Sequence, residues 1–299
     1  MRRQLQQTFT LALLLAVMPL HAAEIYKYQD ANGKWRFTDK KPKEPTAETL
    51  TLKSAEKQKV EPVFYVDKNK AKRKNYLIVE NPFHAPIQIE LRSPQAKQRQ
   101  SKIIPALSKK TLLSAAGAIE PFTYKWQLGD PKLTPGPQEY QLPADALGCH
   151  RITQGFNGRF SHHGDSSRYA VDIALPVGTA IKAARDGVVI AVKDDYHMGG
   201  VDKFFLDKAN YVRILHNDGT FALYGHILLG TAVVREGDKV TAGTTLARSG
   251  SSGYSSGPHL HFVIHRNTGL KMTAVPFKFI ASKSSQTFVP MAGQRLCDM

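Results

Sequence analysis

The stretch His259-Leu260-His261-Phe262 constrains this chain more than any other. Two histidines that alternate with two large apolar residues fit a strand with one face in a core and the other free for chemistry, because successive strand side chains point to opposite faces. A β protein brings two imidazoles to one spot in this way. Upstream, the apolar run Tyr169-Ala170-Val171-Asp172-Ile173-Ala174 is interrupted by one carboxylate and follows His162 and His163. Two neutral imidazoles and a carboxylate make a usual three-ligand catalytic zinc set, with the fourth position left for water. The helical zinc motif H-E-x-x-H is absent.

The surrounding sequence keeps the same two-residue period. Gly187-Val188-Val189-Ile190-Ala191-Val192, Tyr211-Val212-Arg213-Ile214-Leu215 and Phe221-Ala222-Leu223-Tyr224 are separated by turns at Asp218-Gly219 and Glu236-Gly237-Asp238. With no long amphipathic helix, residues 141–283 are expected to form an antiparallel β domain. On the same alternation, Tyr224 and His226 are expected to share a strand face. The prolines from Pro131 to Pro143 mark a boundary. Before it, short runs such as Tyr76-Leu77-Ile78-Val79 and Ile87-Gln88-Ile89-Glu90-Leu91 predict a small β-sandwich-like accessory domain over 62–135, without an acid, base or metal constellation. Its expected role is spacing, docking or wall binding. Residues 46–61 are polar and Lys-rich, as in a linker, and residues 24–45 read as a hairpin around Asp30-Ala31-Asn32-Gly33. Residues 284–299 are left as a C-terminal tail. The fold class expected is mainly β.

Arg2 and Arg3, the apolar run from Leu11 to Leu20 and the small residues Ala22 and Ala23 describe a secretory signal peptide over 1–23. No other segment is long and apolar enough to cross a bilayer, so no stable span is expected after cleavage. Loss of a leader carrying Arg2, Arg3 and no acid lowers the formal charge from +16 to +14. In an exported chain that charge favours cell-wall polymers and anionic envelope polymers as partners, and not nucleic acid. The basic run Lys68-Asn69-Lys70-Ala71-Lys72-Arg73-Lys74 fits a solvated turn at least as well as a binding patch. Two cysteines, Cys149 and Cys297, are expected to bridge in an oxidising compartment, with two independent buried thiols as the alternative.

Gly253-Tyr254-Ser255-Ser256-Gly257 also fits G-x-S-x-G, the nucleophile elbow of serine hydrolases. An elbow needs a helix after the serine, but Pro258 and a strand follow, and the only later carboxylate is Asp298. A glycine-rich loop on the substrate side is the better reading.

The C-terminal half resembles the lysostaphin-type (LytM-like) zinc metallopeptidases. The resemblance rests on Asp172-Ile173-Ala174-Leu175-Pro176-Val177-Gly178-Thr179, Ala183-Ala184-Arg185-Asp186-Gly187-Val188-Val189, Tyr211-Val212-Arg213-Ile214-Leu215-His216 and Tyr224-Gly225-His226. It continues through Gly237-Asp238-Lys239-Val240 and Gly250-Ser251-Ser252-Gly253 and ends at Gly257-Pro258-His259-Leu260-His261-Phe262. It implies a peptidoglycan hydrolase that cuts peptide bonds in the stem or cross-bridge, with Zn2+ held by an upstream histidine, Asp172 and His261. It gives His226 and His259 catalytic roles off the metal; His259 is taken as the base and His226 as the oxyanion stabiliser, and the two roles can be exchanged. Typical members place the first histidine closer to the aspartate, whereas His162 precedes Asp172 by ten residues and His163 by nine. His162 is the chosen ligand, with His163 as the alternative, and Asp165 is read as a loop residue. His216 is read as structural, and His84, His150, His197 and His265 as ordinary. The segment 24–45 resembles a short domain of unknown function found behind signal peptides in Gram-negative envelope proteins, which implies a periplasmic or secreted location. The rival reading is a catalytically silent relative that binds the wall or activates another hydrolase.

Overall fold

The structure, a computed structural model, describes residues 24–29, 35–38, 48–51, 60–69, 71, 73–96, 100–144 and 149–298. The signal-peptide reading of 1–23 lies outside the described residues. The chain divides into two compact units, 1–60 and 61–299.

In the first unit, β1 (Glu24–Gln29) pairs antiparallel with β2 (Trp35–Thr38), which is the expected hairpin. A third strand, β3 (Glu48–Thr51), pairs with the other edge of β1 in the register Ile25↔Leu50. The stretch 46–61 is therefore not linker throughout: Glu48-Thr49-Leu50-Thr51 carries β-branched residues and completes a three-stranded sheet, which a lone hairpin needs for stability.

The second unit begins with two three-stranded antiparallel sheets. β4 (Val63–Asn69), β5 (Lys74–Glu80) and β8 (Lys109–Ala115) form one, while β6 (Ile87–Arg92), β7 (Gln100–Ile104) and β9 (Thr123–Leu128) form the other. Leu77 and Val79 of the first sheet and Ile87, Ile89, Leu91 and Ile104 of the second share one buried cluster, so the two sheets make a small sandwich.

Fifteen further strands build the C-terminal domain. They are β10 (Glu139–Tyr140), β11 (Ile152–Gln154), β12 (Val171–Ala174), β13 (Ala180–Lys182), β14 (Gly187–Lys193), β15 (Gly199–Gly200), β16 (Tyr211–Leu215) and β17 (Phe221–Gly225). The series closes with β18 (Lys239–Val240), β19 (Thr245–Arg248), β20 (Gly253–Tyr254), β21 (His259–Asn267), β22 (Met272–Ala274), β23 (Lys278–Ile280) and β24 (Thr287–Phe288). The main sheet is antiparallel in the order β11-β12-β21-β17-β16-β14-β18, with β22 on the far end of β21. The mainly β fold expected from the sequence is thus the fold observed.

Alternation gives this sheet two different faces. Val171 and Ile173, Val212 and Ile214, Ala222 and Tyr224, and Leu260, Phe262 and Ile264 point into one core with Tyr140, Phe277, Phe279 and Leu296. Burial of a side chain such as Phe262, which has no exposed surface, stabilises the fold by about 3 kcal/mol. The other face carries Asp172, His261, Val263 and Leu223. The sandwich covers its far end, where Ala85 packs with Ile190 and Phe221, and Asn267 Nδ2 donates to Gln88 Oε1 (3.0 Å) and to the Gly129 carbonyl (2.9 Å).

Residues 284–298 pack onto the domain. β24 pairs with β23, Leu296 is fully buried, and Cys297 is disulfide-bonded to Cys149 with a Cα separation of 4.5 Å. Among the described residues no helix is long and apolar enough to cross a membrane.

Candidate metal centre

β12 and β21 pair with Asp172 directly opposite His261, and β17 places Gly225 on the other side of His261. A Cβ on Gly225 would stand 3.4 Å from that of His261, so glycine leaves the imidazole free to lean over the strand. His162 arrives from the loop before β12. The candidate donor atoms of His162, Asp172 and His261 all lie within 4.8 Å of one another. Asp172 Oδ1 is 3.2 Å from His162 Nε2 and 2.8 Å from His261 Nδ1.

His162 is fully buried, whereas His163 is exposed. The Nδ1–H of His162 donates to the Gly155 carbonyl at 3.0 Å, which leaves Nε2 with its lone pair. That atom has no hydrogen-bond partner although the carboxylate oxygen is close. Two buried lone pairs facing each other are unfavourable alone and favourable around a cation, so the donor set fits a metal ion. Burial alone would raise the Asp172 carboxyl, but the neighbouring His162 and His261 side chains outweigh it and hold the group well below the usual carboxylate range. Its second oxygen accepts from Gln154 Nε2 at 3.0 Å.

Two more imidazoles flank the cluster. The Nδ1–H of His259 donates to the Gly257 carbonyl at 2.8 Å, and its Nε2 lies 3.7 Å from Asp172 Oδ1. The ring of His226 is centred 4.5 Å from that of His259 and 5.8 Å from that of His261. The expectation that Tyr224 and His226 share a face is corrected here. Tyr224 points into the core, where its hydroxyl accepts from the Ala184 N–H at 2.8 Å. His226 lies past the end of β17 with φ of 62°, a left-handed conformation that turns its ring back to the site face. The Nδ1–H of His226 donates to the Ser252 carbonyl at 2.6 Å. Burial, then the nearby charge of His259 and His261, push its pKa down to about 3.

Three other sequence readings find their place. Ser255 is 5% exposed, donates to the Gly257 carbonyl at 2.8 Å and precedes no helix, so G-x-S-x-G is a loop and not an elbow. That loop pairs β20 with β15 in parallel. His216 is buried away from the cluster with Nδ1 bonded to the Asp186 carbonyl at 2.7 Å, and burial pushes its pKa down to about 4. Asp165 is a loop residue that pairs with Arg168 and Lys271.

Sequence reasoning missed two supports. Gln154 holds both Asp172 and the Ser161 hydroxyl (2.8 Å), and His265 Nε2–H donates to the Ser166 carbonyl at 2.7 Å and ties the His162–Asp172 loop to β21. The only available signal for His265 was its position four residues after His261 on the same strand face.

Residues 166–272 match Peptidase family M23, and residues 11–63 match a Domain of unknown function (DUF4124). An "Uncharacterized metalloprotease" of Buchnera aphidicola subsp. Baizongia pistaciae is 35% identical over 118 residues, which cover 38% of this chain and 28% of the relative. "Peptidoglycan DD-endopeptidase ShyC" of Vibrio cholerae is 32% identical over 159 residues, 50% of this chain and 34% of the relative. "Glycyl-glycine endopeptidase ALE-1" of Staphylococcus capitis is 33% identical over 117 residues, 39% of this chain and 30% of the relative. The chain thus spans about a third of the length of the curated relatives it matches. The matched segment contains Asp172, His226, His259 and His261, and a family of metallopeptidases implies a metal at this cluster. The C-terminal part of the chain thus matches peptidase family M23 and is similar to lysostaphin and to peptidoglycan endopeptidases, behind an N-terminal segment that matches DUF4124.

Proposed function

We propose that the chain is an exported zinc-dependent endopeptidase that hydrolyses peptide bonds in peptidoglycan stem peptides or cross-links. Residues 1–23 are its leader, 24–51 its small N-terminal unit, 62–135 its accessory domain and 139–298 its peptidase domain, and its place is the periplasm or the outside of a Gram-negative cell. The observation that carries this reading is the convergence of His162, Asp172 and His261, with two further imidazoles beside them, all but His162 in a segment matched by a peptidase family.

His162, Asp172 and His261 would hold the metal. A bound zinc ion supplies a water of lowered pKa and polarises the scissile carbonyl. Gln154 and the Gly155 carbonyl fix the directions of the Asp172 and His162 donors, so the site is set before substrate arrives. His259 takes the proton of the attacking water at Nε2, because its Nδ1–H is committed to the Gly257 carbonyl. The same Nε2, 3.7 Å from Asp172 Oδ1, is placed to return that proton to the leaving amine. The hydrogen bond from His226 to the Ser252 carbonyl likewise leaves its Nε2 as an acceptor. Burial opposes the imidazolium that an oxyanion donor would need, so His226 is assigned to orienting the attacking water. Peptidoglycan as substrate is supported by the peptidoglycan endopeptidase among the relatives and by the basic charge of the chain.

The test is metal content of the purified chain and two variants. About one zinc per chain is expected, with most of it lost in both His261→Ala and Asp172→Ala. Full retention in both would overturn the assignment.

A further inference from the structure

The site face of the sheet extends beyond the metal cluster toward the accessory sandwich. Next to the row Asp172–His261–Gly225–Tyr211 lies the row Val263–Leu223–Arg213, fixed by the pairings Leu223↔Val263 and Arg213↔Leu223. Val212 and Ile214 on either side of Arg213 are core residues, so Arg213 faces the same way as His261. Its side chain is half-buried, and its guanidinium carbon lies 5.6 Å from the centre of the Tyr211 ring. Among the described residues no carboxylate pairs with it, and its buried Nε–H has no hydrogen-bond partner. Burial lowers its pKa, and its charge in turn disfavours protonation of His265 on the same face.

A guanidinium that is partly desolvated and unpaired is unfavourable, and it is retained where a ligand supplies the anion. Asp172 does not supply one, because Gln154, His162 and His261 already surround it. Lys193, opposite Tyr211, is a second cation on the neighbouring strand, and its own acidic neighbour is Asp207. We infer that Arg213, backed by the Tyr211 ring, is the binding position for a free carboxylate of the substrate peptide. Arg213 is two strands across and two residues along from His261, about 12 Å between Cα atoms, which an extended peptide covers in about three residues. The carboxylate recognised therefore belongs to a residue near the cut bond but not to the bond itself. Arg213 is a specificity-determining residue that gives the site a preference for acidic peptides. This inference rests on reading the site as an endopeptidase.

The probe is a soluble cross-linked muropeptide with its free carboxylates intact, compared with the same compound converted to primary carboxamides. Binding is measured with the full zinc-loaded chain in a His259→Ala background, and cleavage with His259 intact. Arg213→Gln is expected to weaken binding of the carboxylate form by about ten- to hundredfold and to leave binding of the carboxamide form unchanged. Arg213→Lys, which keeps the charge and loses the planar fork, should fall between. Equal binding of the two forms by the Arg213 protein, or equal losses for both forms in Arg213→Gln, would overturn the inference. The first comparison needs no variant at position 213, so a folding defect in Arg213→Gln does not remove the test. A chain that prefers the carboxylate form but cleaves neither would overturn the endopeptidase reading alone. One that cleaves both forms with the same kcat/KM would overturn the role of Arg213 alone.

Discussion

Each imidazole at the site has one nitrogen held by a backbone carbonyl or the carboxylate, and this division of labour separates binding from chemistry. His162 is tied to Gly155, His226 to Ser252, His259 to Gly257 and His261 to Asp172. The buried His162 and the exposed His163 give opposite expectations for neighbouring substitutions. His162→Ala should lose both metal and activity, while His163→Ala should keep most of both; zinc content and turnover on the same preparations decide, and the reverse pattern would move the ligand by one residue. His226→Ala and His259→Ala should retain zinc and lose turnover by about a hundredfold or more, as for removal of the group that orients the water or of the base that takes its proton. Zinc loss in either variant would place that histidine on the metal.

At the scale of elements, the site depends on loops whose backbones must come unusually close. Gly199 of β15 pairs with Gly253 of β20, and a Cβ on Gly199 would overlap the Ser251 carbonyl oxygen. Ser251 precedes Ser252, the carbonyl partner of His226, so Gly199→Ala should push that segment away. The expected result is a tenfold or greater drop in turnover with zinc retained, and unchanged kinetics would contradict this account of the loop. Much of the strand framework was legible in the sequence, because a period of two placed Leu260 and Phe262 inward and His259 and His261 outward without knowledge of their partners. His226 was not, since one left-handed residue past a strand end reverses the face that alternation assigns. Gln154 was not legible either: its contact with Asp172 arises from a β11–β12 pairing with a register shift, and no side-chain pattern records it. Arg213 reads in the sequence as an ordinary polar position of an alternating strand, and only the absence of a hydrogen-bond partner for its Nε–H among the described residues sets it apart.

At the scale of the molecule, the disulfide and the buried imidazoles set how conditions change stability. Cys149 and Cys297 are 148 residues apart, and in the chain-entropy account a loop of that length is worth about 5 kcal/mol. The double variant Cys149→Ser, Cys297→Ser should lower the urea midpoint clearly, and an unchanged midpoint would show that the bridge does not restrain the unfolded chain. His216 and His265 are held neutral by burial, with pKa values near 4 against 6.5 in the unfolded chain. Between these values the unfolded chain binds more protons, so the contribution of these two groups is constant above about pH 6.5 and falls toward pH 4, by about 1.4 kcal/mol per pH unit for each group. Urea midpoints of the metal-free chain that stay flat from pH 7.5 to 4.5 would contradict this. Digestion of purified peptidoglycan by the whole chain, with and without a chelator and followed by mass analysis of the released fragments, tests the central claim most directly. The account predicts peptide-bond cleavage products that vanish with the chelator and return with added zinc. Wall binding that survives the chelator, with no fragments released under any zinc, pH or salt condition, would contradict it.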